Sequence, residues 1–60
     1  MKKYFYVIRN NGVVINKDFL EKVAGIEFYR VDYDGFNVGD TIRGYSRNDK
    51  IMAIFFIVEN

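Results

Sequence analysis

The sequence predicts a small α+β domain: a small antiparallel sheet, curved, or a partly open β-barrel, in the order β-β-α-β-β-β, with one short helix against it. Three observations carry that prediction. The chain has 60 residues, 50% hydrophobic and 18% aromatic, a folding composition with room for a single domain over residues 1–60. Its apolar residues alternate with a period of two nearly everywhere and take helical spacing once, at Phe19, Leu20 and Val23. The run IMAIFFIV at residues 51–58 holds no charge and no turn former, which marks a strand covered on both faces.

That run sets the physical problem. Ile51, Ala53, Phe55 and Ile57 point one way, and Met52, Ile54, Phe56 and Val58 the other. Neither set tolerates water. A domain of this size buries only about 60% of the surface its unfolded chain exposes. Covering the second face therefore calls for a closed barrel, a helix laid across it, or another chain. With no cysteine and no histidine, disulfides and the common zinc sites are removed as supports. Association remains, and a homodimer is the expectation.

Taken in order, residues 4–9 read as a first strand with Tyr4, Tyr6 and Ile8 on one face and Phe5, Val7 and Arg9 on the other. Asn10-Asn11-Gly12 is a hairpin signal, because Asn and Gly tolerate the positive φ of a type I′ turn, so residues 13–15 are expected to return as a second strand. Asp18 with Glu21 resembles a capping box opening a short helix, whose buried stripe is Phe19, Leu20 and Val23 with Ala24 alongside, and Gly25 is its expected stop. From Ile26 the period of two returns: Ile26, Phe28 and Arg30 oppose Glu27, Tyr29, Val31 and Tyr33 in a third strand. Asp34-Gly35 turns the chain, and a Gly39-Asp40 bend leads into a fourth strand over residues 41–47. Gly44 sits within that strand and suggests a bulge, a bend or a close backbone approach. Residues 48–50 form the loop into the apolar fifth strand.

Function is bounded more by exclusion. Without His or Cys the usual general base and the usual covalent triads are missing, and neither Ser46 nor Thr41 sits in a nucleophile-elbow pattern, so no catalytic residue and no cofactor is expected. The acidic set Glu27, Asp32, Asp34 and Asp40 has a hint of a calcium loop at Asp32 to Gly35, but lacks the later ligands and the bidentate glutamate; it reads as solvated turn carboxylates and no metal site is expected. A net charge of +1 does not mark a strong polyanion binder. The lysines at residues 2 and 3 precede an apolar run too short for a signal-peptide core, and no run approaches the roughly 20 residues of a membrane span. A cytoplasmic protein with no membrane partner is expected.

The fourth strand places Thr41, Arg43, Tyr45 and Arg47 on one face. Two guanidiniums flanking a tyrosine suit a solvent face with arginine stems along aromatic rings, a protein contact, or a phosphate backbone with a stacked base. The five tyrosines are many for so small a core and argue for association. Arg30, Arg43, Tyr45, Arg47, Tyr29 and Tyr33 are the candidate partner-binding residues, with a protein partner favoured over nucleic acid.

Residues 19–42 resemble the middle of the ASCH group of PUA-like domains. The resemblance rests on Phe19-Leu20-Glu21-Lys22-Val23, Arg30, the turn from Asp32 to Gly35, Phe36, and Val38-Gly39-Asp40-Thr41-Ile42. The glycine-lysine pair that precedes the group's glutamate is not present, and Glu27 stands one residue out of register with it. The resemblance implies a small β-barrel associated with RNA, with Arg30 and Arg43 as the positions touching it.

The expected function is that of a small non-enzymatic interaction protein that occupies a surface on a macromolecular partner as a homodimer. Its size and its many Asn, Lys, Ile and Tyr residues look like those of a phage or mobile-element product, for which an inhibitor of a host or defence protein, acting in the host cytoplasm, is the expectation. The alternatives are a nucleic-acid-binding small barrel using Arg30, Arg43, Tyr45 and Arg47, and a sponge for a small anionic ligand at a dimer seam.

Overall fold

The computed structural model describes residues 2–59. The elements are β1 (Lys3–Arg9), α1 (Lys17–Ala24), β2 (Arg30–Tyr33), β3 (Thr41–Tyr45) and β4 (Ile51–Glu59). The strands form one four-stranded sheet in the order β1-β4-β3-β2. The apolar run thus becomes a central strand, hydrogen-bonded on both sides. β3 pairs with it antiparallel from Thr41 opposite Phe56 to Tyr45 opposite Ile51. β1 pairs with it in parallel, from Lys3 opposite Ala53 to Arg9 opposite Glu59. The fold is α+β as expected, but the sheet is mixed rather than wholly antiparallel, has four strands rather than five, and does not close into a barrel.

The missing strand is the returning arm of the expected hairpin. The chain does turn after β1, with Gly12 at φ 85° and the Val13 N–H donating to the Asn10 carbonyl at 3.3 Å. Residues 13–15 do not pair back onto β1. Ile15 is instead drawn into the core, and Val13 packs against it. A short edge strand would leave part of that apolar surface in water, whereas seating Ile15 beside Leu20 removes it.

Helix α1 is capped by Asn16, whose side-chain oxygen accepts from the Phe19 N–H at 2.9 Å. The start therefore lies two residues before the expected Asp18 box. Glu21 is freed for other work: it accepts from the Phe28 N–H at 2.9 Å and from Lys17 Nζ at 2.8 Å. These two donors hold the Glu21 carboxyl below the usual carboxylate range, the lysine bond first. Gly25 ends the helix as expected, at φ 76°, donating to the Glu21 carbonyl. Leu20 is buried, Phe19 and Ala24 pack against the core, and Val23 is left exposed.

The third strand begins at Arg30, four residues later than the change of period suggests, because Phe28 turns inward. Its ring meets Phe55 edge-on at 6.0 Å and lies over Gly44, where an added Cβ would stand 2.7 Å from the ring. Gly44 is thus a close-approach glycine. It also adjoins a bulge: Gly44 lies opposite Ala53 and Tyr45 opposite Ile51, so Met52 is the extra residue and packs against the core. β3 ends at Tyr45, where a turn from Ser46 to Lys50 begins.

The core consists of Val7, Ile15, Leu20, Phe28, Ile42, Ala53, Phe55 and Ile57, all on the helix side of the sheet. No helix among the described residues is long and apolar enough to cross a membrane.

Candidate interaction surface

The second side of the sheet is where the residues left over from the core collect. From β1 come Tyr4, Tyr6 and Ile8, opposite Ile54, Phe56 and Val58 of β4. From β3 come Thr41 and Arg43, opposite Phe56 and Ile54, with Tyr45 at the bulge. β2 adds Arg30 opposite Tyr45 and Asp32 opposite Arg43. The face is therefore apolar and aromatic along β1 and β4, and charged along β3 and β2. The only helix among the described residues lies on the other side.

The aromatic half is built around Phe56. Tyr4 stacks on it at 6.1 Å between ring centroids, and Tyr6 lies tilted at 5.8 Å. Tyr6 remains 74% exposed, Tyr4 60% and Ile8 46%. Phe56 itself is half-buried, flanked by those two rings and by Thr41 opposite it on β3. Sequence parity groups Tyr4, Tyr6 and Ile8 on one face of β1, and Phe56 with Ile54 and Val58 on one face of β4, but the parallel pairing that joins the two groups leaves no mark in the sequence.

In the charged half the guanidiniums already have partners. Arg30 lies over the Tyr45 ring at 3.9 Å, reaches Asp49 at 2.6 Å and stands 3.7 Å from Asp32. Arg43 reaches Asp34 at 3.4 Å and donates to the Thr41 hydroxyl at 3.1 Å. The carboxylates raise both arginines further above their ordinary range, Asp49 acting on Arg30 and Asp34 on Arg43. Asp32 and Asp34, the centre of the calcium-loop hint, lie within 4 Å of Arg30 and Arg43 respectively, and no group of three or more His, Cys, Asp or Glu side chains among the described residues is placed to hold a metal ion.

The six residues expected to bind a partner fall in three places. Arg30, Arg43 and Tyr45 share the open face. Arg47 does not continue their row, because β3 stops at Tyr45; its guanidinium lies 5.3 Å from the ring of Tyr29 instead, and Tyr29 is 61% exposed. These two line a shallow depression of about 350 Å³ with Phe28 and Met52. Tyr33 lies on the helix side, opposite Ile42 in register, tilted against Phe36 at 4.5 Å beside a second hollow of about 190 Å³ next to Leu20 and Val31.

Comparison with known proteins found no matching family model, no matching curated protein and no matching solved structure.

Proposed function

We propose that this is a non-enzymatic interaction protein that works as a pair of identical chains, joined through the aromatic half of the open face. The observation that carries the reading is Tyr6, 74% exposed beside Phe56 on a strand whose every side chain is apolar up to Val58. A second copy stacked on Tyr4, Tyr6, Ile8 and Phe56 supplies the cover that a 60-residue chain lacks. Arg30, Tyr45 and Arg43, together with the Tyr29–Arg47 pair, then form the tyrosine- and arginine-rich rim that contacts a macromolecular protein partner. An inhibitor of a host or defence protein is the form that the phage-like composition favours.

The ion pairs count against nucleic acid as the partner. A phosphate would compete with carboxylates already beside both guanidiniums, since Asp32 and Asp49 lie within 4 Å of Arg30 and Asp34 within 4 Å of Arg43. Light scattering and sedimentation from 1 to several hundred micromolar test the pair. The expected result is a dimer in the native chain and a monomer in Tyr6→Glu, with the circular dichroism of the two alike. A native chain that stays monomeric over the whole range ends this reading.

A further inference from the structure

The two edges of the sheet are protected unequally. β2 has four residues, carries Arg30 and Asp32, and is tied to the Asp49 turn. Short, charged edges of this kind resist further pairing. β1 has seven residues with no proline, no glycine and no bulge, and β4 takes only one of its sides. Among the described residues, none of the backbone bonds outside the regular elements reaches residues 3–9. Its outer side is a row of peptide groups open to another strand.

Charge says which strand. Lys3 and Arg9 stand at the two ends of β1, on the same face as Phe5 and Val7, and Lys2 precedes them; all three cations are exposed. Among the described residues none of the three forms an ion pair, and the single carboxylate in register is Glu59, opposite Arg9. A second copy laid antiparallel along this edge and centred on Tyr6 would set Lys3 opposite Arg9 twice. Laid parallel and in register, it would set Lys3 on Lys3 and Arg9 on Arg9. Like charges directly opposite destabilise a strand pair, so the edge disfavours its own copy.

We propose that the β1 edge receives an extended acidic segment of a protein partner, added as a fifth strand with one carboxylate opposite Lys3, another opposite Arg9, and uncharged β-branched residues between. This rests on the reading of the chain as an interaction protein, but it uses a different surface from the one that joins the pair. Main-chain bonds supply the attraction, and the two cations select the partner.

The probe is a blocked, fluorescent peptide, Glu-Thr-Val-Thr-Val-Thr-Glu, which reads the same in both directions and so fits a parallel or an antiparallel approach. Its control carries lysine at both ends. Fluorescence anisotropy should show the acidic peptide binding at least about tenfold tighter than the control, as two opposed charge pairs allow. The double variant Lys3→Gln/Arg9→Gln should lose the discrimination, and Lys3→Glu/Arg9→Glu should reverse it, each checked for native circular dichroism. Hydrogen exchange should show alternate amides of β1 gaining protection only when the acidic peptide is present. Equal binding of both peptides, binding of neither, or outward-pointing β1 amides as protected as those of β4 in the free protein would overturn the proposal. Light scattering on the same samples separates the two surfaces: a monomer that still selects the acidic peptide removes the paired-chain reading and leaves this one, and a dimer that selects neither does the reverse.

Discussion

Phe55 and Phe56 are neighbours in one strand with opposite surroundings. Phe55 is wholly buried, stacked on Phe5 at 5.2 Å and met edge-on by Phe28. Phe56 is shielded by two tyrosines that are themselves mostly wet. The side chains on both sides of β4 are apolar as far as Val58, so hydrophobicity does not explain the difference. Available cover does. Helix α1 has eight residues, about 12 Å of length, and with Ile15 and Phe28 it closes one side of the sheet. Nothing else among the described residues remains to close the second.

The sharpest way to break this contrast is to truncate the two rings in turn. Phe55→Ala should cost about 3–5 kcal/mol, close to the whole stability expected of so short a domain at about 0.05–0.15 kcal/mol per residue. Its circular dichroism at 25 °C should be that of an unfolded chain. Phe56→Ala should keep the native spectrum and lose only the dimer in light scattering. If Phe56→Ala unfolds at low concentration as readily as Phe55→Ala, the two sides are not different in kind.

A smaller effect is expected where the covered side is packed most tightly. Gly44→Ala puts a Cβ into the Phe28 ring and should cost about 1–3 kcal/mol, read from chemical denaturation. An unchanged midpoint would mean that Phe28 does not rest on that strand.

Acid should loosen the same side through Glu21. Its folded pKa is depressed by Lys17 and by the Phe28 N–H, so its stabilisation is complete above the usual carboxylate range and disappears as pH falls through the lowered value. Glu21→Gln should flatten the part of the stability profile that falls as pH drops below the ordinary glutamate range. A profile identical to that of the native chain would show the contact to be energetically silent.

The smallest effect concerns the charged half of the open face. Asp34→Asn breaks an exposed pair and should change stability by less than about 1 kcal/mol. It also frees Arg43. If the face can take a phosphate backbone at all, the slope of log affinity for single-stranded RNA against log salt should steepen by about 0.7 in this variant. No binding by either protein at low salt would remove the nucleic-acid alternative, including the role that the ASCH resemblance implies for Arg30 and Arg43.

Much of the fold was legible in the residues because it is local. The parity of β4, the stop at Gly25 and the special status of Gly44 each depend on neighbours a few positions away. The turn at Asn10-Asn11-Gly12 was legible too, yet its partner strand was not, because the path of residues 13–15 is decided by Ile15 finding room beside Leu20. The parallel pairing of Lys3 with Ala53 spans most of the chain and leaves no periodic trace. The arginine row failed at Arg47 for a related reason: alternation within a strand says nothing of where the strand stops, and the turn from Ser46 to Lys50 removed that side chain to Tyr29. Ion pairs such as Arg30 with Asp49 depend on the same turn and could not be assigned from spacing.

The central position of β4 bears on how the chain comes into being. Ribosomes deliver β1 first and β4 last, so the early strand waits, with Tyr4, Phe5 and Tyr6 unsheltered, for a neighbour about fifty residues behind it. β2 and β3 alone make a two-stranded hairpin, which is at best marginally stable in water. Native structure therefore waits on the non-local pairing of β1 with β4, and nascent chains stalled before residue 51 would be substrates for chaperones or proteases rather than partly finished molecules.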